Sequence, residues 1–306
     1  MTGRVNVEWA CAVLGYSRQA YYKQVHTNAT SSRQAPYLAN IWTDVKRVRR
    51  SNPTKGCRAM YEQLGHNWSL GRDKTVAILL RTGFRVRYHK RYGRATQAGT
   101  RAFPNLLVNK QVTGINQVWQ ADMAYYLFAK APLYTIYITD VYSQEVVGHG
   151  AYSTNEALNY AHVLQRAIHA QKLFTKGLSD LIHHSDGGKQ YESHVYQQLC
   201  TKHRITQSMC MYSYENPYAE KTNDLINNGY LNVWKPRSLK ALRYAQQKAV
   251  HDHNTNSWKK KLGRLSPLDF KKTICSEVPH LVPYVLNLKP TEPVQPRKRF
   301  PILNNN

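Results

Sequence analysis

The sequence predicts an α/β protein in which a mixed β-sheet with flanking helices follows a basic helical region. Three observations carry this expectation. Near Gln117 the apolar pattern changes from helical period to alternation. Beyond that point three consecutive runs rich in Val, Ile, Tyr and Thr precede alternating helix and strand patterns, the order of a mixed sheet with helices on its faces. Charge is concentrated before the change: residues 1–110 hold 20 Lys and Arg against four acids (Glu8, Asp44, Glu62, Asp73), a net of +16.

Residues 7–23 read as two short helices around a turn. Val7, Ala10, Cys11 and Leu14 recur at helical spacing, Gly15 stops the first helix, and Ser17 caps a second that presents Arg18, Gln19, Tyr22 and Lys23. This is the helix-turn-helix pattern, with an ordinary helical hairpin as the alternative. The polar stretch Thr27 to Ala35 reads as a linker, closing a first segment at residues 1–35. Residues 36–110 read as a basic helical region. Ile41, Val45 and Val48 form its first apolar stripe, a second helix begins near Arg58, and a third runs from Arg72 to Thr82 and ends at Gly83. From Phe84 to Arg101, Arg85, Arg87, His89, Lys90, Arg91 and Arg94 alternate with aromatic or small residues, which suits an extended arm along a phosphate backbone, or a solvated linker.

Three strands are expected over Gln117–Leu127, Leu133–Val141 and Glu145–Ser153, with Asp140-Val-Tyr-Ser143 as a turn. A helix from Asn155 to Gln171, a strand over Leu181–His184, a helix over Ser193–His203, a strand over Ile205–Met209 and a helix starting at Asn216 complete a unit spanning 111–228. Residues 229–306, with Lys235, Arg237, Lys240 and Lys259 to Lys261, read as a basic region that holds DNA or a second subunit.

Composition narrows the partners. The formal net charge of +25 favours a polyanion, and nucleic acid comes first for a chain with no apolar run of membrane-spanning length and no signal-peptide core behind Met1. Cys11, Cys57, Cys200, Cys210 and Cys275 are odd in number and form no Cys-x-x-Cys pair, which fits a reducing cytosol. A cytoplasmic, nucleoid-associated location is expected.

Acids are scarce, so their positions are informative. Asp122 stands mid-strand among Trp119, Ala121 and Met123, where an unpartnered carboxylate is costly. Asp186 follows His183-His184 and precedes Gly187-Gly188, a pair that permits a sharp turn and close approach of a phosphate. Glu220 lies in the first turn of a helix with Asn216 as N-cap and Pro217 at its first position. That positive helix end favours both an ionised Glu220 and a nearby phosphate. Three carboxylates from two strands and a helix suit a two-metal phosphoryl-transfer site, with Mg²⁺ or Mn²⁺ as the hard cations and Asp122 bridging them. Asp140 reads rather as a turn cap, and Glu215 as a rival third ligand outside the helix's first turn.

At these residues the sequence resembles the OrfB transposases of two-frame insertion sequences, relatives of the retroviral integrases with a ribonuclease-H-like core. The resemblance runs from about Gly15 to about Asn228. It rests on Trp119-Gln-Ala-Asp122, His184-Ser-Asp186-Gly-Gly-Lys-Gln-Tyr191, Ser208-Met209 and Tyr218-Ala-Glu220-Lys-Thr-Asn223, in that order. Phe103-Pro-Asn-Leu-Leu107 and Ile138-Thr-Asp-Val-Tyr-Ser143 also match. The chain departs where Asn223-Asp224 replaces the usual Asn-Gly, and where the family's carboxy-terminal Tyr-Asn-Arg-Pro-His string is absent.

The resemblance implies a DDE-type transposase that cleaves element ends to give a 3′-hydroxyl and then transfers the strand directly, with Asp122, Asp186 and Glu220 as metal-binding catalytic residues. It implies double-stranded DNA and further copies of the chain as partners, and a companion helix-turn-helix protein or a frameshift fusion to it. Expected DNA contacts are Arg18, Lys23, Arg87, Lys90, Arg91, His184, Lys189, Gln190, Asn216 and Lys221. The alternative is an inactive or repurposed transposase acting as a DNA-binding regulator.

Overall fold

The computed structural model describes residues 7–15, 17–86, 102–128, 131–172, 180–276 and 285–288, which fall into two compact units. The first comprises residues 1–50 and 55–86, the second 51–54 and 87–306.

The first unit is helical: α1 (Val7–Leu14), α2 (Arg18–Ser51), α3 (Cys57–Leu64) and α4 (Arg72–Arg81). Gly15 takes φ +71 at the end of α1 and Gly83 takes φ +89 beyond α4, so both expected stops use the left-handed conformation glycine tolerates. Ser17 accepts from the Ala20 amide as the expected cap. The predicted linker over Thr27–Ala35 is not a break, because α2 runs through it without interruption for 34 residues. Polarity lowers helix propensity there without ending the helix, since that stretch holds neither Gly nor Pro. The core of this unit is Ile41 and Val45 against Cys57, Met60, Trp68, Val76 and Leu79. Trp68 Nε1 donates to Asp44 at 3.0 Å.

The second unit carries the predicted sheet. A short β1 (Lys110–Val112) is followed by β2 (Val118–Phe128), β3 (Ala131–Asp140), β4 (Val146–Tyr152), α5 (Ala157–Lys172), β5 (Ile182–Ser185), α6 (His194–Lys202) and β6 (Thr206–Met209). The five-stranded sheet has the order β4-β3-β2-β5-β6. Its β2–β3 and β3–β4 pairs are antiparallel, and β2–β5 and β5–β6 are parallel. Parallel pairing demands crossovers, which α5 and α6 supply.

A long helical stretch follows: α7 (Pro217–Asn223), a π-helical segment over Asp224–Leu231 and α8 (Asn232–Trp234). Then come α9 (Leu239–Asn256), α10 (Pro267–Cys275) and β7 (Leu286–Leu288), which pairs with β1. The boundary expected at 228/229 therefore falls inside a helix. Alternation sorts the strand residues: Trp119, Ala121, Ile136 and Ile138 pack under α5 with Val163, Leu164 and Ala167. On the other face Tyr126, Tyr137 and Ala151 meet Ile226, Tyr230, Leu242, Ala245 and Ala249. The carboxy-terminal helices are thus part of the core, a role their basic residues did not announce.

Candidate active site

The parallel pairing of β2 with β5 sets two of the three acids side by side. The register runs from Val118↔Ile182 to Ala121↔Ser185, so Asp122 and Asp186 each stand one residue beyond the last paired position. The third acid arrives on α7, whose start is latched to β2 by two hydrogen bonds. Asn216 Nδ2 donates to the Ala121 carbonyl at 2.9 Å, and the Tyr218 amide donates to Gln120 Oε1 at 2.8 Å. Farther along, Thr139 donates to Thr222 Oγ1 at 2.9 Å, and the Tyr137 hydroxyl donates to Asn227 Oδ1 at 3.1 Å. The helix is pinned along the face of the sheet that carries Gln120 and Asp122.

Asp122 is held by its surroundings. Its Oδ1 accepts from the Met123 amide at 2.8 Å and its Oδ2 from Asn223 Nδ2 at 2.5 Å. Burial, then the charges of Asp186 and Glu220, push its carboxyl up to about 8, against these two donors. Burial also raises Asp186, opposed by the Gly188 amide that donates to its Oδ1 at 3.3 Å. Glu220 is raised by burial and by Asp186. Burial raises the hydroxyls of Tyr160 and Tyr191, and Asp186 and Asp122 add to the shift in both. Asp122, Asp186, Tyr160 and Tyr191 therefore share one electrostatic neighbourhood, which Glu220 joins through Asp122 and Asp186.

That donor set fits a hard divalent cation: every candidate ligand is a carboxylate, and the strongest perturbation is one a cation would reverse. Among the described residues no three His, Cys, Asp or Glu side chains stand close enough together to form a finished metal cage. The three acids are linked through charge, since Asp186 and Glu220 raise Asp122 and Asp186 raises Glu220.

Gly188 serves this site through space rather than through a left-handed turn. A Cβ there would meet Asp186 Oδ1 at 3.1 Å and Gln190 Oε1 at 3.2 Å, and its φ is not positive. Asp140 is the expected turn cap: its oxygens accept from the Asn116 amide and from the Ser143 amide and hydroxyl, each at 2.7 Å. Glu215 accepts from Asn105 Nδ2 and from the Met211 and Tyr212 amides, so its oxygens close a loop.

Several expected DNA contacts need correction. His184 is buried with Nδ1 against Ser208 Oγ at 2.9 Å, because β5 lies between two parallel neighbours. Asn216 stands at the N-cap position of α7, but its buried side chain makes no cap bond and reaches Ala121 instead. Gln190 is half-buried and donates to the Asn155 carbonyl at 3.3 Å. Lys189 and Lys221 are exposed, as are Arg18, which pairs with Glu8 at 3.2 Å, and Lys23. Arg87, Lys90 and Arg91, with most of the expected basic arm, lie outside the described residues. The Asn223 bond to Asp122 and the Gln120–Tyr218 latch escaped the sequence analysis, which named Asn223 only as part of a motif; its position one turn beyond Glu220 was the available signal.

Known proteins bear on this arrangement. Residues 113–212 match the integrase core domain family. An insertion element IS600 uncharacterized 31 kDa protein of Shigella sonnei is 27% identical over 271 residues, covering 86% of this chain and 97% of that protein. A putative transposase for insertion sequence element IS986/IS6110 of Mycobacterium tuberculosis is 27% identical over 160 residues, covering 51% of this chain and 58% of its own length. Among solved structures, the HTLV-2 integrase catalytic core domain in complex with magnesium (trimeric form) is 20% identical with a TM-score of 0.40, covering 55% of this chain and 99% of that one. No helix among the described residues is long and apolar enough to cross a membrane. The integrase core domain match thus lies over the sheet that carries Asp122 and Asp186, and the chain as a whole is similar to insertion-element proteins, transposases among them.

Proposed function

We propose that Asp122, Asp186 and Glu220 form the catalytic centre of this transposase, holding two Mg²⁺ or Mn²⁺ ions for 3′-end cleavage and strand transfer. The observation that carries the reading is the register of β2 on β5, with Asp122 and Asp186 each one residue beyond the last pair, together with the latch of α7 onto β2; burial, then the charges of Asp186 and Glu220, raise Asp122 alongside it. Acids far apart along the chain perturb one another only if the fold brings them together.

When bound, such ions activate a water or a 3′-hydroxyl and stabilise the departing oxygen in an in-line displacement. The chain's own residues prepare the site. Asn223 fixes the Asp122 carboxylate, the Gly188 amide fixes Asp186, and the Asn216 and Gln120 bonds to the α7 start set where Glu220 stands. Exposed Lys189 and Lys221 flank two of these acids in sequence and suit contact with phosphates. The basic first unit would position double-stranded element ends, with two ends bridged by a multimer of this chain in the cytoplasm, and with a companion helix-turn-helix protein from the same element.

Strand-transfer assays with Mn²⁺ or Mg²⁺ test the proposal. Activity in wild type and its loss in both Asp186→Asn and Glu220→Gln are expected. A second reading, a DNA-binding regulator without catalysis, is favoured by the lack of a finished metal cage among the described residues. It predicts inactivity throughout with DNA binding retained.

A further inference from the structure

Beside Glu220, Lys221 opens onto a cleft of about 260 Å³, its solvent-open mouth included, formed where α7, the end of β3 and the segment after α9 meet. Lys221, Lys259, His253, Thr222 and Tyr218 line it, and among the described residues no carboxylate does. Two ammonium groups sharing a concave surface with no acid create a deficit of negative charge. The surroundings register that deficit: burial and Lys221 push the Lys259 ammonium down to about 8.

The acids of neighbouring elements are committed elsewhere. Glu145 pairs with Lys271 at 2.9 Å, and Asp252 accepts from Asn52 and Tyr230. Asp140 holds its turn. His253 is 3% exposed and its Nε2 donates to the Gln144 carbonyl at 3.0 Å, so its ring forms wall rather than a contact for an anion. Thr222 Oγ1 accepts from Thr139, which leaves its own hydrogen to donate.

We propose that this cleft binds one phosphodiester group of the DNA backbone, with Lys221 and Lys259 donating to its oxygens. The proposal rests on DNA being the substrate and adds a register to it. Because Lys221 follows Glu220 on α7, a phosphate gripped here fixes how the strand runs relative to the carboxylates.

The test measures binding of the full chain to a duplex as a function of salt, in EDTA, so that it does not depend on the three acids acting as a catalyst. Each phosphate contact contributes about 0.9 to the slope of log K against log salt. Lys259→Gln is expected to lower that slope by about one, and Lys259→Arg to keep it. Should Lys259→Gln fail to fold, Lys221→Gln, at an exposed position, makes the same measurement. An unchanged slope in the glutamine variant overturns the proposal. So does a slope that stays unchanged while inorganic phosphate stabilises wild type alone, since the cleft then takes free phosphate rather than DNA. A wild-type chain that performs no strand transfer while the slope behaves as expected would sink the catalytic reading and leave this one standing.

Discussion

Asn223 Nδ2 donates to Asp122 Oδ2 at 2.5 Å, joining a helix residue one turn beyond Glu220 to a strand carboxylate 101 residues earlier. One bond thus fixes both the orientation of an acid and the distance of a helix from the sheet. Asn223→Ala removes the donor and leaves the carboxylate in place. With Asp122 raised to about 8, its carboxyl is neutral at pH 7 without metal; a hydrogen bond between neutral groups contributes about 0.5–1.5 kcal/mol, and urea unfolding of the variant at pH 7 in EDTA is expected to register a loss of that order. Strand transfer should fall further than the loss of folded protein explains.

The elevated Asp122 makes stability depend on pH and metal. Its folded-state value of about 8 lies above the ordinary value of 3.8, so the folded chain binds the proton more tightly than the unfolded one. Stability then falls as pH rises from about 4 to about 8 and this contribution is flat above that. In EDTA, Asp122→Asn should be more stable than wild type at pH 8, by a few kcal/mol at most, with the gap closing near pH 4. Mg²⁺ should raise the melting temperature of wild type at pH 8 and leave that of Asp122→Asn nearly unchanged.

Gly148 faces the inner side of α5: a Cβ there would meet Ala167 Cβ at 3.0 Å, Val163 Cγ1 at 3.2 Å and Ile138 Cβ at 3.3 Å. Gly148→Ala must push the helix away from the sheet, at a cost of about 1–3 kcal/mol typical of overpacking. Thermal unfolding checks it, and a neutral result would mean that α5 yields without cost.

Lys271 is 1% exposed, with Nζ between Glu145 at 2.9 Å and Gln171 Oε1 at 2.6 Å. Lys271→Met leaves Glu145 buried without its cation and should cost about 3–5 kcal/mol. Adding Glu145→Gln removes the stranded charge, and the double variant should recover most of the loss. A double variant no more stable than the single one would assign the cost to lost packing.

The sheet strands, the helices between them and the helical stops at Gly15 and Gly83 were legible because each is written in a local period or a local turn residue. The three acids stood out because acids are rare here: Asp122 lies within β2, Asp186 just beyond β5 and Glu220 in the first turn of α7. What went unread was non-local. The continuation of α2 through Thr27–Ala35 reversed a reading based on polarity alone, and the burial of His184 and Asn216 follows from neighbours that their own segments do not mention.

By itself, then, the sequence determined where strands and helices begin, which acids are candidates to hold a cation and that the charge favours a polyanion. Those properties belong to residue types and their spacing. Only the tertiary structure decided that β2 and β5 run parallel in a register that sets Asp122 beside Asp186, that Asn223 clasps one of them, and that Lys221 and Lys259 face one cleft. Each of these depends on packing between segments distant along the chain, and no local pattern encodes the distance between them.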